Sequence, residues 1–211
     1  MIYLIGGPPR CGKTTLAKKM SKRFGTPWIS CDTLEAISKF YTPKEDWQQK
    51  YPYSFLRNQS GMRDNDWFYG KYSIAKIISV LKNQAKVVFG AIEMVVACEL
   101  ADGNDYIIEG YHLVPNFAKK MIKKYGSQNV KAIFLTKFDA NKFARDVRQS
   151  TTPNDWLLVL TKKDETFVKV GKMVASYSRY FDKEAKKHGL KVFNMDNNFV
   201  NKIIEIVSLV R

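Results

Sequence analysis

Acidic residues are scarce in this chain. Its 211 residues hold 20 Asp and Glu against 35 Lys and Arg, a formal net charge of +15. That imbalance predicts an anionic partner: a nucleotide, a phosphorylated metabolite, nucleic acid or a membrane surface. Part of it reads simply as solvated helix surface, as at Lys119-Lys120 and Lys123-Lys124. Cysteine is also sparse. Cys11, Cys31 and Cys98 are odd in number and match neither a metal-site nor a disulfide spacing, so a reducing, cytoplasmic setting is expected. No basic segment precedes the first apolar run, which is too short for a signal peptide. The longest apolar region, Val87 to Ala101, is interrupted by Glu93 and Glu99 and is too short to span a bilayer, so no membrane partner is expected. Neither repeats nor low-complexity linkers divide the chain. A hydrophobic content of 45% with 13% aromatics argues against disorder and for one domain over residues 1–211.

Short apolar runs alternate with longer helical patterns, which predicts an α/β fold with a mainly parallel sheet. The five expected strands are Ile2–Ile5, Pro27–Ser30, Tyr106–Glu109, Lys131–Thr136 and Lys191–Met195. The expected helices cover Lys13–Phe24, Asp32–Phe40, Lys71–Leu100, Pro115–Tyr125, Ala140–Arg148, Lys162–His188 and Phe199–Leu209, the third with a break near Asn83 or Gly90. Residues 41–70, rich in aromatics, Asp, Asn and Gly, show no clear period and read as an insertion over a site. A doubly wound fold of this kind places its ligand at the carboxyl ends of the strands.

The first strand runs into Gly6-Gly7-Pro8-Pro9-Arg10-Cys11-Gly12-Lys13-Thr14-Thr15. Gly7-x-x-x-x-Gly12-Lys13-Thr14 fits a phosphate-binding loop, with a strand before it and a helix after it. Glycine allows the tight bend. Pro8 and Pro9 have no N–H, but Arg10, Cys11, Gly12, Lys13, Thr14 and Thr15 keep theirs, enough for an anion cradle at a helix start. Lys13 is expected on the terminal phosphates of ATP and the Thr14 hydroxyl on Mg2+. Cys11, at the same helix start, is a candidate for a depressed thiol pKa, or simply a small residue that fits.

These residues resemble the loop of the P-loop kinases, Gly6-Gly7-Pro8 with Gly12-Lys13 being similar to the adenylate-kinase form. The resemblance implies a P-loop NTPase fold: a five-stranded parallel sheet with helices on both faces and a lid. It also implies an acidic residue after the second strand that touches the acceptor hydroxyl, here Asp32, although Asp32-x-x-Glu35 equally fits a helix cap. The run Asp105-Tyr106-Ile107-Ile108-Glu109-Gly110 ends a buried strand in a carboxylate where a magnesium shell would lie. Glu109-Gly110-Tyr111-His112-Leu113-Val114-Pro115 is similar to a Glu-Gly-x-His-Leu-x-Pro segment of 2-phosphoglycerate kinases, and its Glu-Gly pair resembles the uridine kinase and phosphoribulokinase group. Tyr111 and His112 are candidate substrate contacts, a packed structural histidine being the other reading. Arg145 and Arg148, three apart on one helix face, resemble the Arg-x-x-Arg lid that closes over the phosphates. The lid would cover residues 140–160, with Gln149 to Trp156 as its hinge. Arg57 and Arg63, in the 41–70 insertion, are candidates to clamp an acidic group of the acceptor.

The function expected is an ATP-dependent, Mg2+-assisted kinase acting on a small anionic acceptor, a phosphorylated metabolite or a nucleoside or nucleotide. A zeta-toxin-like kinase acting on a nucleotide-sugar fits the same residues. The charge keeps a polynucleotide 5′-hydroxyl kinase open as the alternative. Thr136-Lys137-Phe138-Asp139 mimics a guanine-reading motif, but no Asp-x-x-Gly accompanies it, so it reads as coincidence.

Overall fold

The computed structural model describes residues 1–61, 63–152 and 155–210. In chain order the elements are β1 (Ile2–Gly6), α1 (Lys13–Phe24), β2 (Trp28–Ser30), α2 (Cys31–Phe40), α3 (Trp47–Lys50), α4 (Pro52–Asn58), α5 (Asn65–Lys71), α6 (Ile74–Ala85), α7 (Phe89–Ala101), β3 (Tyr106–Glu109), α8 (Pro115–Tyr125), β4 (Val130–Thr136), α9 (Ala140–Arg148), α10 (Trp156–Val159), α11 (Asp164–Lys187), β5 (Lys191–Asn194) and α12 (Phe199–Leu209). Every strand pairing is parallel, in the order β2-β3-β1-β4-β5. β1 is central and buried along its whole length, which is why its sequence is a continuous apolar run rather than an alternating one. α1 packs on α12 and covers β1, β2 and β3, while α7, α8 and α11 cover β1, β3, β4 and β5. The register sets Ile5, Ser30 and Glu109 level with one another at the carboxyl edge. Chain crossovers leave β1 toward both sides, so this edge is the switch point where such sheets bind ligands.

The five strands fall where the apolar runs predicted them. The expected helix over Lys71–Leu100 is broken, as its sequence suggested, into α6 and α7. α6 starts at Ile74, because the Ser73 side chain accepts the Lys76 N–H at 3.2 Å and caps it. The break between α6 and α7 is a 3-10 turn over Lys86–Val88, between the two positions expected. Residues 41–70 contain three short helices, too brief to show a helical period. The helix after β2 starts at Cys31. Its cap is Ser30, whose side chain accepts the Asp32 N–H at 3.2 Å, so Asp32 is free of the capping duty the sequence suggested.

The insertion and the segment after α9 are joined. Asn65 is fully buried, donates to Thr161 Oγ1 at 2.9 Å and to the Trp156 carbonyl at 3.2 Å, and accepts from Arg57 Nη1. Asp66 accepts the N–H of Lys162 at 2.9 Å and of Lys163 at 3.2 Å. These bonds set a roof over the carboxyl edge. Pro153 and Asn154 of the expected hinge lie outside the described residues.

Candidate active site

A cleft of about 1140 Å³ opens over the carboxyl edge of the sheet. Its floor is the loop between β1 and α1. Gly7 has φ +136°, and a Cβ there would lie 2.2 Å from the Leu135 carbonyl oxygen of β4. Gly12 has φ +96°, and a Cβ would meet the Phe199 ring at 2.5 Å. Both glycines are therefore required by backbone angle and by space. Gly7→Ala should lower stability by about 3 kcal/mol or more, because its obstacle is backbone that cannot rotate away. A urea unfolding curve checks this, with Gly25→Ala as the comparison, since a Cβ there has no atom within 4 Å although its φ is +70°.

Lys13 is buried, and its Nζ donates to the Pro8 carbonyl at 2.7 Å. It has no carboxylate partner among the described residues. Thr14 Oγ1 donates to Glu109 Oε1 at 2.9 Å, and Glu109 is 3% exposed. A hydroxyl and a buried carboxylate at the mouth of a phosphate loop are hard oxygen donors, the set that Mg2+ takes while keeping most of its waters. Arg10 has the left-handed φ of +64°, uncommon for a residue with a side chain. Its Nη2 lies 2.6 Å from Oδ2 of Asp155, a buried carboxylate whose Oδ1 accepts the Leu157 N–H. Arg10 thus ties the phosphate loop to the roof. Cys11 is fully buried, and burial pushes its thiol up to about 11 against the pull of Lys13. The depressed thiol considered from sequence is corrected: Cys11 has a packing place here, and only its backbone is available to a phosphate.

Asp32 lines the cleft with its side chain 73% exposed. Behind it stands a cluster that sequence reading missed. Glu35, one turn along α2, is 8% exposed. It accepts from His112 Nε2 at 2.8 Å, Tyr111 OH at 2.9 Å, Gln84 Nε2 at 2.8 Å and Lys39 Nζ at 3.0 Å. Burial opposes its ionisation, but the hydrogen bond and charge of His112, the Gln84 hydrogen bond and the Lys39 charge outweigh burial and hold the carboxyl down to about 2. Burial, reinforced by Glu35, pushes the Tyr111 hydroxyl well up, so it stays protonated and donates. The only local signal was Glu35 itself, which also fitted a helix cap.

The remaining candidates divide. Tyr111, Arg57 and Arg63 line the cleft. Arg57 is 7% exposed between the rings of Phe68 and Trp156, 5.0 and 5.7 Å from their centroids. It donates to Asn65 and to the Arg63 carbonyl, with no carboxylate partner among the described residues. His112 is fully buried and does not reach the cleft wall, so direct substrate contact is corrected to a place behind it. Arg145 and Arg148 do not line the cleft either. Phe143, Ala144 and Val147 turn the apolar side of α9 inward, which leaves Arg145 exposed and Arg148 2.9 Å from Asp164 Oδ1. Instead, Arg10 and Lys137 bring charge to the cleft, and Phe199 forms a wall of it. Asp139, in the guanine-like motif, caps α9 by accepting the Lys142 N–H at 2.8 Å.

Among the described residues, no helix is long and apolar enough to cross a membrane. The family model described as ATPase family associated with various cellular activities (AAA) matches residues 3–171. A 2-phosphoglycerate kinase of Methanopyrus kandleri is 25% identical over 214 residues, covering 99% of this chain and 61% of that protein. A mevalonate-3-phosphate 5-kinase of Thermoplasma acidophilum is 30% identical over 124 residues, 58% of this chain and 56% of that one. The chain thus spans about three fifths of the length of these curated relatives. In fold it is similar to a shikimate kinase from Bacteroides thetaiotaomicron, with a TM-score of 0.57 at 14% identity, covering 100% of this chain and 98% of that one. With its glycine-bounded phosphate loop and its β2-β3-β1-β4-β5 sheet, the chain has a parallel α/β P-loop fold and belongs to the ATPase family associated with various cellular activities (AAA).

Proposed function

We propose that this protein is an ATP-dependent kinase that phosphorylates a hydroxyl of a small anionic metabolite. The supporting observation is one cleft that joins the Lys13–Thr14–Glu109 end to an acidic residue, Asp32, and to a buried guanidinium, Arg57, that no carboxylate among the described residues neutralises. An uncompensated buried charge is costly, and an anionic ligand would relieve it. The relatives carry phosphorylated acceptors in their names, 2-phosphoglycerate and mevalonate-3-phosphate, and we place this chain's acceptor in that class.

In this reading Lys13 exchanges the Pro8 carbonyl for a terminal phosphate oxygen. Thr14 and Glu109 would hold Mg2+, which would supply charge to neutralise the phosphates. Asp32 orients the acceptor hydroxyl. Arg57 and Arg63 take the acceptor's anion, the planar fork of Arg57 suiting a phosphate or carboxylate. Arg10 and Lys137, which line the cleft, supply stabilising charge to the transferring group. Phe199, against Gly12, offers a flat face to the base of the nucleotide.

The test is transfer of label from γ-labelled ATP into separate pools: phosphorylated hydroxy acids and sugars, nucleosides and nucleotides, nucleotide-sugars, and 5′-hydroxyl oligonucleotides. Label is expected in the first pool. Arg57→Met should raise the acceptor KM at least about tenfold and leave the ATP KM near its original value. Label confined to oligonucleotides, or an acceptor KM that ignores Arg57→Met, would overturn the assignment.

A further inference from the structure

His112 is fully buried, yet its Nδ1 has no hydrogen-bond partner. The ring's other nitrogen is committed: Nε2 lies 2.8 Å from Glu35 Oε2. An ionised carboxylate only accepts, so Nε2 must carry the hydrogen. In the neutral ring Nδ1 is then a lone pair. It faces Asp32 Oδ1 at 3.8 Å, beyond hydrogen-bond range, and Asp32 in turn stands in the cleft. Contacts of this kind tighten in the reacting complex.

We propose that His112 positions Asp32 and receives, at Nδ1, the proton that Asp32 takes from the acceptor hydroxyl, with Glu35 fixing the ring by its hold on Nε2. This inference rests on the phosphoryl-transfer reading above. In the balanced step, the acceptor oxygen bonds to the γ-phosphorus as the bridging oxygen bond to ADP breaks, and that electron pair leaves on ADP. The hydroxyl proton passes to Asp32 and on to His112 Nδ1. The resulting imidazolium lies between two carboxylates and returns its proton to water through the exposed Asp32 before the next cycle. Glu35, itself held by Gln84, Tyr111 and Lys39, has the place of the carboxylate in a nucleophile–histidine–carboxylate triad, where it sets tautomer and orientation.

Other groups around the ring do not compete for Nδ1. Tyr111 stacks at 3.8 Å between centroids and points its hydroxyl to Glu35. Tyr177 of α11 lies near Tyr111, and burial pushes both hydroxyls up, so both stay neutral. Cys31 lies beside Gly110 on the same side as Nδ1 and makes no hydrogen bond to it among the described residues.

The chain has two histidines, so His188→Gln assigns the imidazole nitrogen resonances of His112. The Glu35 bond at Nε2 predicts a spectrum with a hydrogen on Nε2 and a bare Nδ1. In Glu35→Gln the carboxamide can donate to Nε2, and the hydrogen should shift to Nδ1. His112→Gln keeps an amide able to bond Glu35 but cannot titrate. It should lower kcat roughly ten- to hundredfold, with both KM values within about threefold, and should change the shape of the kcat profile against pH. A hydrogen on Nδ1 in the wild-type protein, or a kcat profile whose shape survives His112→Gln, would overturn the relay and leave the kinase reading standing. A wild-type protein that moves no phosphoryl group to any acceptor would sink both.

Discussion

Lys13→Ala should lower kcat for phosphoryl transfer by about a thousandfold while the protein remains folded. Lys13 Nζ makes one neutral bond, to the Pro8 carbonyl, and has no ion pair among the described residues. Its removal therefore leaves no uncompensated charge in the fold. What it removes is a fixed ammonium beside the loop, where charge develops on the transferring group. The check is single-turnover kinetics with labelled ATP alongside a thermal melt. A melt close to wild type with a lost rate is the expected pair. A variant that still turns over within tenfold of wild type would show that the loop does not hold the reacting phosphates.

Glu35→Leu should cost about 3 to 5 kcal/mol of stability at neutral pH, because it strands the hydrogen-bonding groups of His112, Tyr111 and Gln84 and the charge of Lys39. The same carboxylate makes the wild-type protein sensitive to acid. Its folded value, about 2, lies below the ordinary 4.5 of a glutamate. A depressed carboxyl contributes stability that is fully present above the unfolded value and is lost as pH falls through the folded one. The window is therefore about pH 5 down to pH 2, and the loss across it is roughly 3 kcal/mol. Urea midpoints at several pH values measure both effects. The wild-type midpoint should fall steeply through the window, and the fall should be shallower in Glu35→Leu. Parallel slopes would mean that other carboxylates dominate acid unfolding.

Local order in the chain carried the frame of the molecule. β1 is an apolar run because a central parallel strand is covered on both faces. The phosphate loop is legible because Gly7 and Gly12 meet local demands of backbone angle and Lys13-Thr14 follow at fixed spacing. Glu109 could be placed because a strand's end fixes which edge its last side chain occupies, and the structure puts it on Thr14.

Tertiary packing decided the rest. Arg145 and Arg148 share a helix face in sequence, but the rotation of α9 is set by the burial of Phe143, Ala144 and Val147, which leaves both arginines exposed and outside the cleft lining. Arg57 was a candidate clamp from its place in the insertion, but its burial between the rings of Phe68 and Trp156, bonded to Asn65, was decided by packing alone. Glu35 and His112 are 77 positions apart and meet only across the packed end of the sheet. Spacing reports what a single strand, turn or helix requires of its own residues. Which buried carboxylate meets which imidazole is fixed by packing between elements, where desolvation makes each unpartnered polar group costly enough to select one arrangement.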